Sequence, residues 1–251
     1  FCFTGHKRHH RCSFLHVISV SLAHLSHSAL TMKKHWWKLL AVLLLIYTIW
    51  GAFIFDAPRL DILNETIRNL HFHVTMWFGM ILLLTTSVVY SLRYLRTNQL
   101  RFDHYAVEFA NAGVLFGILG IVTGAVWANY TWGEPWSGDP KQNSAAIALL
   151  IYFAYLVLRN SLEDSQQRAK ISSVYNVFAF AALIPLLFIL PRMTDSSLHP
   201  GNGGNPGFNS YDLDSRLRIV FYPAIIGWTL LGVWIVNLRV RFKKIKLRWD
   251  D

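Results

Sequence analysis

Six long apolar runs alternate with polar segments along the chain. They cover about 37–55, 72–92, 105–128, 143–158, 174–190 and 219–238, and the fourth and fifth are the shortest. A run of about 18 apolar residues is long enough to cross a hydrocarbon core roughly 30 Å thick. The chain is 53% hydrophobic and only 15% charged. The pattern therefore predicts an all-α fold, a polytopic membrane helical bundle of six transmembrane helices.

The basic residues collect where the apolar runs meet the polar segments. The net charge is +10, but this placement points to orientation in a lipid membrane rather than to a nucleic-acid partner. If the N-terminus is taken as cytoplasmic, fifteen of the 24 Lys and Arg residues fall on the inner side, six on the outer side and three in the N-terminal leader. Because positive charge favours the cytoplasmic side, both termini are predicted to be cytoplasmic.

Residues 1–31 differ from the rest of the chain. The stretch starts with Phe1 and holds both cysteines, Cys2 and Cys12, and six of the eleven histidines. Met32 is followed by the basic and aromatic residues KKHWWK at 33–38 and then by an apolar run, which is the pattern of a natural N-terminus. We interpret 1–31 as a non-native or untranslated leader and 32–251 as the membrane domain, with a genuine extension or targeting segment as the alternative. Without the leader no cysteine remains for disulfides or covalent haem attachment.

Segment 127–141, WANYTWGEPWSGDPK, joins the third and fourth apolar runs and holds Trp127, Trp132 and Trp136. Its two glycines and two prolines disfavour a helix interior, so we predict an aromatic loop on the outer side. Tryptophans in such a loop can rest at the lipid headgroups, or they can offer flat apolar faces to a flat apolar ligand. Both uses remain open at this point.

Two helical faces indicate close packing between spans. Glycines at 113, 117, 120 and 124 form one stripe on the third span, a pattern that lets a neighbouring helix approach closely. The second span opens with His73, which shares a helix face with Met76, Trp77 and Met80.

The outer segments carry further predictions. Residues 56–71 have apolar positions at helical spacing, which predicts an amphipathic helix on the outer surface. The fifth span contains Pro185, so a kink near its outer end is expected. The long glycine-rich segment 192–216 follows it and holds His199.

Outside the leader and His35, four histidines remain, at 71, 73, 104 and 199. The predicted topology puts His104 inside, whereas His73 and His199 can flank the tryptophan loop. Two imidazoles over an aromatic platform suit haem. The alternatives are interfacial histidines, a tryptophan belt at the membrane surface, and an Asp139 that only caps the following helix.

The sequence WGEPWSGD at 132–139, after GAVWA at 124–128, resembles the tryptophan-rich WWD signature of the CcmC/CcsA family of cytochrome c biogenesis. The resemblance covers about 37–241, and six spans favour the shorter, CcmC-like branch. It implies an outer signature loop with an external histidine on each side.

By that resemblance, His73 and His199 are the axial ligands of a non-covalent, transiently bound b-type haem. Trp127, Trp132, Trp136 and Asp139 form the platform that holds the ring. Two departures stand out: Gly138 replaces a signature tryptophan, which removes one aromatic face, and the basic residue Lys141 comes one place late. Lys141 either pairs with a haem propionate or is a solvated loop cation.

The resemblance implies a haem-handling protein of the bacterial inner membrane. It would hold haem at the outer face and deliver it to a haem chaperone or apocytochrome c, beside an ABC transporter. The sequence offers no nucleophile, nucleotide loop or hydrolase cluster, so we expect no enzymatic activity. The rivals are a membrane b-type electron carrier and a small-molecule transporter, although the predicted spans carry almost no internal charge.

Overall fold

A computed structural model describes residues 35–59, 63–194, 197–199 and 213–249. Within these ranges the chain is helical and contains no strand. Residues 41–251 form one compact unit, and residues 1–40 form another, of which only the start of the first helix is described. The leader predicted at 1–31 lies outside the described residues.

The described part of the chain contains six helices that are long and apolar enough to cross a membrane, so the predicted number of spans is confirmed. Which side the termini occupy remains a prediction. The helices are α1 (His35–Ile54), α2 (Leu70–Thr97), α3 (Leu100–Trp132), α4 (Pro140–Asn160), α5 (Ser165–Ile184) and α6 (Ser215–Trp249).

The predicted loop at 127–141 is shorter in the structure. Helix α3 continues to Trp132 because residues 127–132 contain neither glycine nor proline, and it ends where Gly133 adopts φ +88°. Helix α4 begins at Pro140, whose missing N–H costs nothing in the first turn. The connection is therefore residues 133–139 only, and Trp127 and Trp132 belong to a helix.

The amphipathic surface helix predicted for 56–71 is wrong as a single element. Residues 56–59 are not helical, 60–62 are outside the described residues, and a short 3₁₀ helix, Asn64–Asn69, leads into α2. Among the described residues of this stretch, Leu63 and Ile67 are buried inside the protein. Leu63 and Ile67 pack with Leu213, Leu217 and Phe221 at the start of α6.

The glycine stripe on α3 packs closely against a neighbouring helix, as predicted, and that helix is α2. A β-carbon added at Gly113 would meet Leu84, at Gly117 Met80 and Leu149, at Gly120 Trp77, and at Gly124 His73. The partner numbers on α2 fall as the α3 numbers rise, so the two helices are antiparallel. The Gly124 end of α3 therefore lies beside the start of α2.

The predicted break near Pro185 is confirmed. Helix α5 ends at Ile184 and passes into a π-helical turn, Pro185–Ile189, and then a 3₁₀ turn, Leu190–Arg192. Proline removes a backbone donor and disturbs the regular α-helical ladder. The regular α-helix thus gives way to these two turns before the segment that carries His199.

Two charge pairs lie at the end of the bundle opposite to His73, and one of them, Asp103 with Arg159, is buried. Arg159 donates two hydrogen bonds to Asp103, at 2.7 and 2.6 Å, and both side chains are less than a tenth exposed. Arg239 on α6 pairs with Glu108 at 2.5 Å. Glu108 lies within the predicted third span. Asp103, Arg159 and Arg239 lie just beyond the predicted spans, in parts of α3, α4 and α6 that extend past them. The pairs tie α3 to α4 and to α6.

We expect Asp103→Ala to destabilise the protein by about 3–5 kcal/mol, because it leaves the Arg159 guanidinium buried without a counter-charge. A double change, Asp103→Leu with Arg159→Met, should recover most of the loss. Thermal unfolding in detergent measures both. Arg216→Ala, which breaks the exposed pair of Arg216 with Asp214, is the control and should change little. Equal losses in the Asp103 and Arg216 variants would contradict the role given to the buried pair.

Candidate functional site

A cavity of about 360 Å³ opens between the start of α2, the end of α3, the start of α4 and the turns after α5. Its wall is mainly apolar and includes Leu63, Ile67 and Phe221 from the buried cluster near the start of α6. Its polar lining comes chiefly from His73, Lys141, Gln142, Arg192 and His199. Pockets of this size and character are typical of sites for small molecules and cofactors.

His73 is held in one orientation by α3. Its Nδ1 lies 2.9 Å from the Gly120 carbonyl oxygen, with Thr123 Oγ1 at 3.4 Å, and its ring packs directly on Gly124. A carbonyl oxygen only accepts, so Nδ1 carries the proton and donates. Nε2 therefore keeps its lone pair.

His199 approaches from the segment after α5. Its ring lies against Trp132, with centroids 5.3 Å apart, and its Nδ1 is 3.0 Å from Asp139 Oδ1. Burial lowers the pKa of His199 below its usual value, although the Asp139 carboxylate acts in the opposite direction. At neutral pH the imidazole is neutral. The nearby Asp139 carboxylate favours the tautomer with the proton on Nδ1 and a lone pair on Nε2, although Nδ1 and Oδ1 are not aligned as a hydrogen bond.

Asp139 anchors this segment. It accepts hydrogen bonds from the backbone N–H of Lys141 at 2.8 Å and of Leu198 at 2.7 Å, and from Ser197 Oγ at 3.2 Å. Burial raises the pKa of Asp139, but the His199 imidazole and the two backbone N–H donors outweigh it, and the pKa lies below the usual value. The side chain is a carboxylate at neutral pH, and it caps α4, as the sequence alternative proposed.

Tryptophans wall the site. Trp127 lies edge-on to His73, with centroids 5.7 Å apart, and donates from Nε1 to Thr66 Oγ1. Trp136, which is 41% exposed, lines the cavity from the connection 133–139. Trp132 lines an adjoining cleft of about 20 Å³ together with His73 and His199, so both imidazoles border one space.

All seven residues predicted for the site lie at one end of the bundle. The tryptophans and histidines line the cavity or the cleft, Lys141 lines the cavity, and Asp139 lies directly behind His199. Their roles toward a ligand remain predictions.

Among the cavity-lining residues that sequence analysis did not assign to the site, Trp77 and Arg192 lie closest to its chemistry. Trp77 lies edge-on to His73, and the shared helix face already pointed to it. Arg192 brings a second cation near Lys141, and its guanidinium donates to the Phe188 carbonyl at 2.6 Å. No sequence signal marked Arg192, because its position depends on the irregular turns after Pro185.

Gly138, where the family resemblance led us to expect a tryptophan, has a left-handed backbone conformation with φ +74°. A β-carbon there would meet no atom within 4 Å. Space does not require glycine at this position, but the backbone conformation favours it.

Fold and site together define a multi-pass membrane protein that presents two neutral imidazoles to an apolar, tryptophan-walled cavity. The sequence profile described as cytochrome c assembly protein matches residues 7–199, more than half of the chain. The chain belongs to the cytochrome c assembly protein family.

Named relatives come from two branches. The cytochrome c biogenesis protein CcsA of Pelargonium hortorum is 34% identical over 144 residues, 57% of this chain and 43% of the relative. CcsA of Prochlorococcus marinus is 40% identical over 82 residues, 33% of this chain and 25% of the relative. The heme exporter protein C of Rhodobacter capsulatus is 24% identical over 208 residues, 77% of this chain and 78% of the relative. The chain thus spans less than half the length of the CcsA relatives.

Gly124→Ala should push the His73 ring away from the Gly120 carbonyl, because the added carbon would collide with His73 Cε1. Nitrogen-15 NMR of histidine-labelled protein, assigned with His73→Ala, should show His73 protonated on Nδ1 in the wild type and altered in Gly124→Ala. Gly113→Ala, on the same stripe but against Leu84, is the control and should leave the signal unchanged. A wild-type His73 protonated on Nε2 would refute the assignment.

Proposed function

We propose that this protein holds haem non-covalently between His73 and His199 and passes it to an acceptor. One observation carries the proposal: each imidazole has its Nδ1 against an acceptor, the Gly120 carbonyl or the Asp139 carboxylate, and so keeps the Nε2 lone pair for iron. Ligating histidines commonly have this second contact, which fixes ring and tautomer. When bound, haem supplies an iron that takes two axial histidines and a flat ring that packs on aromatic faces.

The cavity fits the apolar body of such a ligand. Its wall combines Trp77, Trp127 and Trp136 with aliphatic side chains. The names of the relatives, which refer to cytochrome c biogenesis and heme export, support haem as the ligand. The two cations at the cavity, Lys141 and Arg192, suit the carboxylates of the haem propionates.

The two histidines have different supports, which favours a handler over an electron carrier. His73 is part of helix α2, whereas His199 lies in the segment after α5 and is held through Asp139. A b-type electron carrier keeps its haem permanently and gains from two rigid ligands. The protein is proposed to bind and deliver haem without catalysing a reaction.

In this proposal the site lies at the periplasmic face of a bacterial inner membrane. The distribution of basic residues, fifteen on the opposite side against six on this one, supports that orientation. The acceptor is a haem chaperone or apocytochrome c, and ABC transporter subunits of cytochrome c maturation are the proposed partners.

The absorption spectrum of the purified protein tests the ligands. The wild type should show low-spin, bis-histidine haem, and His73→Ala and His199→Ala should each lose that spectrum. His104→Ala removes a histidine near the opposite end of α3 and should leave the spectrum unchanged. Absence of haem in the wild type, even after haem is added, would refute the proposal. Transfer of the haem to an apoprotein acceptor separates a handler from a carrier, which retains it.

Lys141→Ala and Arg192→Ala should each weaken haem binding roughly ten-fold, because each removes a charge-assisted contact to a carboxylate. Titration with haem and with its propionate dimethyl ester measures the effect. The ester should bind the wild type and both variants equally. Arg101→Ala, which removes an exposed cation at the start of α3, is the control. Equal weakening for haem and ester would exclude the propionate contact.

A further inference from the structure

Asp139 contacts four protein groups, and three of them belong to the segment that carries His199. The residue is 4% exposed. Oδ1 receives the Lys141 N–H and Ser197 Oγ and lies 3.0 Å from His199 Nδ1, while Oδ2 receives the Leu198 N–H at 2.7 Å. An ionised carboxylate has about four acceptor sites. Three of the four contacts are made to Oδ1 and one to Oδ2.

His73 needs no such residue. Its backbone belongs to α2, its ring rests on Gly124, and its Nδ1 bonds to a backbone carbonyl of α3. Moving His73 away from the site would require two packed helices to separate. Moving His199 requires only that the contacts of one side chain break.

We propose that Asp139 is the positioning residue of His199, so that His199 is the haem ligand made and released during transfer while His73 stays in place. This inference rests on the proposed function. Asp139 acts through His199 and does not itself contact haem, which changes the platform role implied by the family resemblance. Under this proposal the two histidines differ in how they are held: His73 by the packing of two helices, and His199 by one side chain.

The N-cap of α4 must be separated from the positioning of His199, since Asp139 does both. Serine caps helices about as well as aspartate but is too short to reach Leu198 and the imidazole as well. Asparagine keeps one acceptor oxygen and turns an N–H₂ group toward one of the present donors. Asp139→Ser and Asp139→Asn therefore keep the cap and lose all or part of the hold on His199.

Asp164 offers a matched control. It caps α5 through a bond from the Gln167 N–H at 2.7 Å, and α5 begins at the end of the bundle away from the cavity. Asp164→Ser makes the same chemical change at a helix cap that has no contact with His199. It should alter neither haem binding nor the Ser197–His199 segment.

In the haem-loaded protein, Asp139→Ser should release haem to apomyoglobin about 10- to 100-fold faster than the wild type, the usual effect of removing such a supporting contact. Its spectrum should shift from low-spin toward five-coordinate, high-spin haem, and added imidazole should restore the low-spin form, as in His199→Ala. Asp139→Asn should change in the same direction by less.

Haem-free protein provides a second measurement. Hydrogen exchange at the Leu198 amide should speed up in Asp139→Ser and Asp139→Asn, while the first turn of α4 keeps wild-type protection. If one of the two variants fails to fold, the other carries the comparison. Wild-type spectrum, release rate and Leu198 exchange in a folded variant would overturn the inference and leave the proposed function intact. A wild type that binds no haem would refute the proposed function, and the Leu198 exchange would still test the Asp139 contact.

Discussion

The close approach of α3 to α2 governs the position of His73. Gly113, Gly117, Gly120 and Gly124 remove side chains along one stripe of α3, and each gap is filled by a side chain from a neighbouring helix. Apolar side chains gain almost no hydrophobic free energy by leaving the lipid chains for one another. In a membrane, close packing of this kind is therefore a main source of helix association. The last gap of the stripe holds an imidazole instead of an aliphatic chain. The helix packing along the glycine stripe thus continues to the cavity, where Gly124 contacts the His73 ring.

The opposite end of the bundle uses a different kind of interaction. There, Asp103 and Arg159 form a buried charge pair, and Glu108 pairs with Arg239, whose side chain is about half exposed. These pairs join helix ends that the glycine stripe does not reach. At the cavity end the wall is mainly apolar, with two neutral imidazoles, the cations Lys141 and Arg192, and the buried Asp139 carboxylate behind His199. One end of the bundle is thus joined by charge pairs between helices, and the other end contains the cavity.

Much of this arrangement could be predicted from the sequence. Apolar run lengths predict the six helices, and the spacing of the glycines predicts that a neighbouring helix packs on α3, although not that this helix is α2. The limits of the tryptophan loop could not be predicted so well. Its Gly and Pro residues all lie from 133 onward, and residues 127–132 continue helix α3. The 3₁₀ helix Asn64–Asn69 was missed because Leu63 and Ile67 look the same whether they face lipid or α6. Asp139 shows a second limit: its cap is a local pattern, whereas its hold on Ser197–His199 joins positions about sixty residues apart.

Gly138 has a consequence for comparing this chain with its relatives. Its φ of +74° is easy for glycine and strained for a residue with a β-carbon. A relative that keeps tryptophan at this place is expected to draw the backbone between Pro135 and Asp139 along another path, even where the flanking letters agree. Identical residues around this position therefore do not guarantee an identical backbone. A single change of Gly138 to tryptophan would introduce the side chain without the backbone conformation that suits it.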